Sequence, residues 1–249
     1  MKILIIILFT IASGFYASGK CASSGMDFWP KSKVIKQNSI FIIDGIYESQ
    51  EIIKGLGAKH KVYLKGKGEK IELKVSQIYK GDLSVTQAVL KPTELLKAGV
   101  VYELKIDNLP KGSDLLVRYN EDYEKEKIVW EVEEGTDTAV PEWGKKPELK
   151  SKEYEELGCG PVSYLKFAYS VVDDSEVIFK TSVKNLTTGR SSTFFITSYE
   201  DLILVGHGMC TGAFTFDDGK KFEVHISIMD ASGNKSYWSN VSHTIEKPK

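Results

Sequence analysis

Short runs in which apolar and polar residues alternate dominate this sequence, and that period of two narrows its fold more than any other feature. In the first half they are SIFIIDGI, HKVYLKG, EKIELKVSQIY, SVTQAVLK, VVYELKID, DLLVRYN and KIVWEVEE. Between Lys70 and Ile78, residues Ile71, Leu73 and Val75 fall on one side and Glu72, Lys74 and Ser76 on the other. Alternation of this kind buries one face of a strand and leaves the other in water. Gly45, Gly66, Gly68, Gly81, Gly99 and Gly112 punctuate the runs as turn residues do. Only PTELLKAG offers a helical turn, and it is too short to carry a fold. The second half repeats the rhythm in SYLKFAYSV, EVIFKTSVKN, STFFITS, DLILVGH, GAFTFDD, KFEVHISIMD and KSYWSNVSHTI. Seven runs in roughly 85 residues match the size of an immunoglobulin-like sandwich.

Between the two series the pattern stops. EEGTDTAVPEWGKKP holds acidic residues, two prolines and two glycines without periodicity, the composition of a linker. Ahead of both series lies a leader: Met1-Lys2, the apolar run ILIIILFTIA, then SGFYASG. A positive start, an apolar run of about ten residues and a small-residue tail make up a signal peptide. The run is shorter than the roughly 20 residues a membrane-spanning helix needs. The expected organisation is therefore a signal peptide over 1–19, a sandwich over 26–133, a linker over 134–147 and a second sandwich over 148–247. That is an all-β chain of two immunoglobulin-like antiparallel β-sandwich domains in tandem.

Cleavage after Gly19 would leave Lys20-Cys21 at the new terminus. Ser18 and Gly19 resemble part of a lipoprotein box, which makes Cys21 a lipidation candidate. Lys20, where such boxes hold Gly, Ala or Ser, disfavours a lipid anchor. Export predicts a periplasmic, outer-membrane-associated or secreted protein, an oxidising setting in which Cys159 and Cys210 most simply pair. Closing their loop of about 50 residues would contribute ~3–4 kcal/mol on the chain-entropy model.

The stretch Lys91-Pro92 through Leu95, Gly99, Tyr102 and Leu104 resembles the P-x-x-x-L-x-x-G-x-x-Y-x-L turn of bacterial immunoglobulin-like domains. Asp230-Ala231-Ser232-Gly233-Asn234, followed by Ser236 and Trp238, is similar to the D-x-x-G-N-x-S-x-W hairpin of fibronectin type III-like bacterial modules. Both resemblances imply a sandwich and name no ligand.

The net charge of −1, with Arg118 and Arg190 the only arginines, argues against nucleic acid as a partner, since its readers rely on Arg forks and a basic face. No segment after the leader is apolar enough to span a bilayer. His207, Met209 and Cys210 in GHGMC are soft ligands that would suit copper, but a site needs three or four converging ligands, and a glycine-rich loop accounts for the same residues. No G-x-S-x-G elbow, H-E-x-x-H, P-loop or G-x-G-x-x-G is present. Adjacent acids such as Asp173-Asp174 read as solvated turns. Trp29 and Trp143, beside Pro30 and Pro141, are candidates for surface binding, whereas Trp130 and Trp238 read as core. The expectation is an exported, non-catalytic protein without a cofactor that binds protein or glycan at the cell surface. The alternatives are periplasmic copper handling through His207 and Met209 and, third, a secreted hydrolase.

Overall fold

The computed structural model describes residues 24–112, 114–120, 122–237 and 243–248, with the backbone alone at Tyr237. The leader, Cys21 and Trp238 lie outside the described residues. The strands of the first half are β1 (Gly25–Trp29), β2 (Val34–Ile35), β3 (Phe41–Ile46), β4 (Val62–Gly66), β5 (Glu69–Lys80), β6 (Val85–Pro92), β7 (Val101–Ile106), β8 (Val117–Tyr119), β9 (Lys125–Lys127) and β10 (Val129–Val132). Those of the second are β11 (Glu142–Leu157), β12 (Gly160–Val172), β13 (Val177–Asn185), β14 (Ser191–Ile196), β15 (Ser198–Tyr199), β16 (Leu202–His207), β17 (Lys221–Asp230), β18 (Lys235–Tyr237) and β19 (His243–Glu246). The chain is all-β apart from a short turn of helix, α1 (Gln50–Lys54), led by a 3₁₀ turn at Tyr47–Ser49. No helix among the described residues is long and apolar enough to cross a membrane.

In the first half, eight strands form one curled sheet in the order β1-β3-β6-β5-β4-β7-β10-β2. The curl turns on β5. Its start, Glu69–Glu72, pairs with β4, its remainder pairs with β6, and a register shift falls between Val75 and Gln77. An added residue there bends the strand and lets it serve both layers. Phe28, Phe41, Ile43 and Leu90 from one layer meet Val62, Leu64, Leu104 and Trp130 from the other in a single core. Helix α1 closes one end, burying Ile52 and Ile53. It lies so close to β3 that a Cβ on Gly45 would sit 2.5 Å from the Ser49 carbonyl oxygen. Gly45 is therefore a packing glycine inside a strand and not the turn residue its sequence setting suggests.

The turn resembling bacterial immunoglobulin-like domains has the bonding expected of a sandwich corner. Tyr102 is fully buried, the Lys97 N–H donates to its hydroxyl oxygen at 3.2 Å, and the hydroxyl donates to Glu69. Its anchoring leucine is Leu96, which is fully buried, and not Leu95, which is 58% exposed. PTELLKAG itself is not helical; the helix forms from QEIIK instead.

The second half stacks a four-stranded sheet, β11-β12-β16-β15, on a five-stranded one, β14-β13-β17-β18 with β19 also on β17. Leu165, Phe167, Ile203 and Val205 face Phe179, Val224, Ile226 and Ile228 across the core. GAFTFDD, expected to be a strand, is a loop. Its alternation places Phe214 and Phe216 at the end of the sandwich, where Phe216 meets Phe222 edge-on with ring centroids 5.0 Å apart. The expected linker is irregular only through Pro141, because β11 begins at Glu142 and pairs along β12.

The two halves share a buried seam. Trp29, Ile40, Ile42 and Val89 turn away from the first core and pack on Ile178, Phe195, Met229 and Ala231. Strands β3 and β6 are thus covered on both faces, which is why their runs are more continuously apolar than the rest. Gln87 completes the seam. Its Nε2 donates to the Phe195 carbonyl at 2.9 Å, and its Oε1 accepts from the Phe195 N–H at 2.9 Å. One side chain therefore reproduces the two hydrogen bonds of a β-ladder across the junction.

A cavity at the junction of the two halves

Beside this seam the halves leave a cavity of about 430 Å³, within the usual range for small-ligand sites. Strands β1, β3 and β6 supply Asp27, Trp29, Asp44 and Gln87 on one side. Tyr164 on β12 and Phe194 to Thr197 at the end of β14 supply the other, with Thr211 to Ala213 closing it. The far wall depends on close backbone contact: a Cβ on Gly206 would lie 2.0 Å from the Ser163 carbonyl oxygen, so only glycine lets β16 approach β12 there.

Asp44 gives the cavity its chemistry. It interrupts the run Ile40-Phe41-Ile42-Ile43 one residue before Gly45, and the pleat turns it to the cavity side of β3. The Gln87 amide donates to its Oδ1 at 2.8 Å. Burial first, and then the charge of neighbouring Asp27, push the Asp44 carboxyl up to about 8 against the opposing pull of the Gln87 hydrogen bond and Lys31. Asp27 stands directly opposite Asp44 in the β1–β3 register and is ion-paired with Lys31. Tyr164 is also held above the usual phenol range by burial, with a smaller contribution from Glu153. A buried carboxyl with an unusual proton affinity in a concave site is a mark of function.

The residues singled out from sequence fall in several places. Trp29 is only 3% exposed, so it is no surface aromatic; β1 carries it into the seam, where it lines the cavity. Its Nε1 is buried without a hydrogen-bond partner among the described residues. Trp143 is likewise no exposed platform, since it stacks on Phe179 at 6.0 Å and meets Tyr169 edge-on in the second sandwich. His207 is 4% exposed and its Nδ1 faces the Gly208 carbonyl oxygen at 2.9 Å. Met209 follows in the same loop. His225 lies beside Glu223, and His243 faces the Pro147 carbonyl oxygen, so neither joins His207. Cys159 occupies the β11–β12 turn and Cys210 the loop after β16, and the expected disulfide between the two is not formed in the structure. These segments adjoin one another, since a Cβ on Gly160 would sit 3.2 Å from the Met209 carbonyl oxygen.

One acidic group among the described residues has spacing compatible with a metal: oxygens of Asp137, Asp173 and Asp230 lie within 4.8 Å of one another. Each already accepts local hydrogen bonds, Asp137 from Ser175 Oγ, Asp173 from the Ser175 N–H and Asp230 from Ser232 and Asn234. Burial raises the carboxyls of Asp173 and Asp230, with the charge of Asp137 adding to both. The fibronectin-like hairpin signature supplies Asp230 to this group, and Asn234 Nδ2 donates to the Asp137 carbonyl oxygen at 3.1 Å, so the motif helps tie the turn to the chain between the halves.

Asp44, Gln87 and Tyr164 were not singled out from sequence. The legible signal was an acid inside an apolar run, which alone does not reveal what covers it.

No family model matches the chain, and no curated protein does. Among solved structures it is similar to a type I pullulanase from Bacillus subtilis str. 168 complexed with maltose (10% identity, 92% of this chain and 25% of that one, TM-score 0.27). It is similar to the N-terminal part of the bacterial S-layer protein SbsC (13% identity, 90% and 44% coverage, TM-score 0.23) and to tandem Ig repeats of Dlar (6% identity, 90% and 96% coverage, TM-score 0.23). The chain spans about a quarter of the pullulanase's length. Likenesses at TM-scores this low assign neither a fold family nor a function.

Proposed function

We infer that the chain is an exported, non-catalytic binding protein, made of two immunoglobulin-like sandwiches in tandem, which takes its ligand in the cavity between them. The leader sequence supports export to a periplasmic, outer-membrane or secreted location. The corner at Tyr102 and the two-layer second half support the sandwich reading. One observation carries the binding site: an open cavity walled by Trp29, Tyr164 and Phe195 holds a half-buried carboxyl that ionises far above its ordinary range. Aromatic walls with few fixed polar groups suit recognition of a ligand of protein or glycan origin. No motif for a nucleophile or catalytic metal accompanies them in the sequence.

The test is a thermal-shift and NMR screen of short peptides, amines and small saccharides against the mature protein and Thr197→Trp. Thr197 is exposed at the cavity rim, so an indole there blocks entry without entering the core. Ligands that stabilise the native protein and not the variant support the reading. Hits indifferent to Thr197→Trp, or turnover of peptide or glycoside reporters, overturn it.

A further inference from the structure

Among the described residues lining the cavity, Asp27 and Asp44 are the only charged ones. They stand cross-strand from each other, a placement that is unfavourable for like charges. Lys31 offsets Asp27 from the rim. Asp44 receives the Gln87 amide, whereas an ionised carboxylate can accept about four hydrogen bonds. Around it Trp29, Ile178, Phe195 and Leu204 supply apolar wall, beside the polar Gln87, Tyr164, Thr197 and Thr211. The cavity therefore combines a carboxyl with open acceptor positions and a partly apolar, partly aromatic enclosure, with the neighbouring Lys31 already engaged by Asp27.

Resting on the reading of this cavity as the ligand site, we propose that it binds an organic ammonium, with Asp44 as the counter-ion and the aromatic wall against the ligand's carbon skeleton. An ammonium has three donors and no acceptor, which matches a carboxylate with open acceptor positions and a second carboxylate beside it. Aromatic faces attract such cations. A neutral sugar would meet the same walls but offers no positive charge to an ionised Asp44, so its binding would not depend on that ionisation.

The titratable groups facing Asp44 are Asp27 on β1, Lys31 beyond it and, across the cavity, Tyr164 on β12. At neutral pH Asp44 is largely protonated, so ammonium binding must ionise it and release its proton. Alkylammonium groups remain charged to about pH 10, as the Lys side chain does.

The experiment is calorimetric titration of the mature protein with pentylammonium, 1-pentanol and maltose in buffers of different ionisation heat. Pentylammonium should bind, release close to one proton at pH 6.5, and tighten by up to about tenfold per pH unit until about pH 8, where the gain levels off. Pentanol should bind at least tenfold more weakly. Asp44→Asn should lose tenfold or more for the ammonium at pH 8, and Thr197→Trp should abolish binding. If Asp44→Asn does not fold, proton release and pH dependence in the native protein decide. Equal affinity for pentanol or maltose, or ammonium binding without proton release, overturns the ammonium proposal. If that binding is still blocked by Thr197→Trp, the cavity reading survives. No binding of any probe that Thr197→Trp blocks overturns both.

Discussion

Replacing Asp44 with Asn should make the protein more stable at pH 8 and leave it nearly unchanged at pH 4. The native carboxyl holds its proton up to about 8, whereas the ordinary value is 3.8. Between those limits the folded state binds a proton that the unfolded state has lost. Stability from this group is therefore fully present below about pH 4 and declines as pH rises towards 8. At 1.36 kcal/mol per pH unit the whole interval has an upper bound of roughly 6 kcal/mol. Asp44 is only half-buried and its cavity opens to water, so a realistic difference is about 2–4 kcal/mol. The Asn amide oxygen can still accept from Gln87, which keeps the seam bonded. Urea denaturation of both proteins from pH 4 to 9 measures the difference directly. Asp173 and Asp230 share the same direction of shift, but both variants retain them, so they cancel. Parallel curves across this range would refute the claim that burial holds Asp44 protonated.

Gln87→Leu removes both bonds to Phe195 and leaves a buried N–H and C=O unpaired; a loss of about 2–4 kcal/mol in denaturant unfolding is expected. Tyr102→Phe deletes the corner hydroxyl that meets Lys97 and Glu69 and should cost about 1–2 kcal/mol by the same assay. Peptide mapping of unreduced, alkylated protein tests the cysteine expectation: a linked Cys159–Cys210 peptide supports it, and alkylated thiols at Cys159 and Cys210, or linkage of either to Cys21, overturn it.

Single-element features were legible in the sequence where one face is wet. β5, β13 and β17 alternate cleanly, and each is a strand. Legibility failed where tertiary cover overrides the pattern. The apolar excess in β3 and β6 comes from the second half of the chain packed on their outer faces, a contact that joins residues more than one hundred positions apart, as Gln87 and Phe195 do. Phe214 and Phe216 alternate because a loop plugs a sandwich end. Trp29, beside Pro30, reads in the sequence as a surface aromatic, but the burial that places it in the cavity wall depends on that same distant packing.

The central claim is that the junction cavity is where this protein meets its ligand, and the Trp29 indole is its best reporter. In ¹H–¹⁵N spectra the Trp29 Nε1–H signal, assigned through Trp29→Phe, should shift on titration with pentylammonium at pH 8, together with the Gln87 side-chain amide. The Trp130 indole, which donates to the Pro30 carbonyl within the first core, should stay in place. Shifts confined to surface residues remote from Asp44, with Trp29 and Gln87 unmoved, would contradict the account.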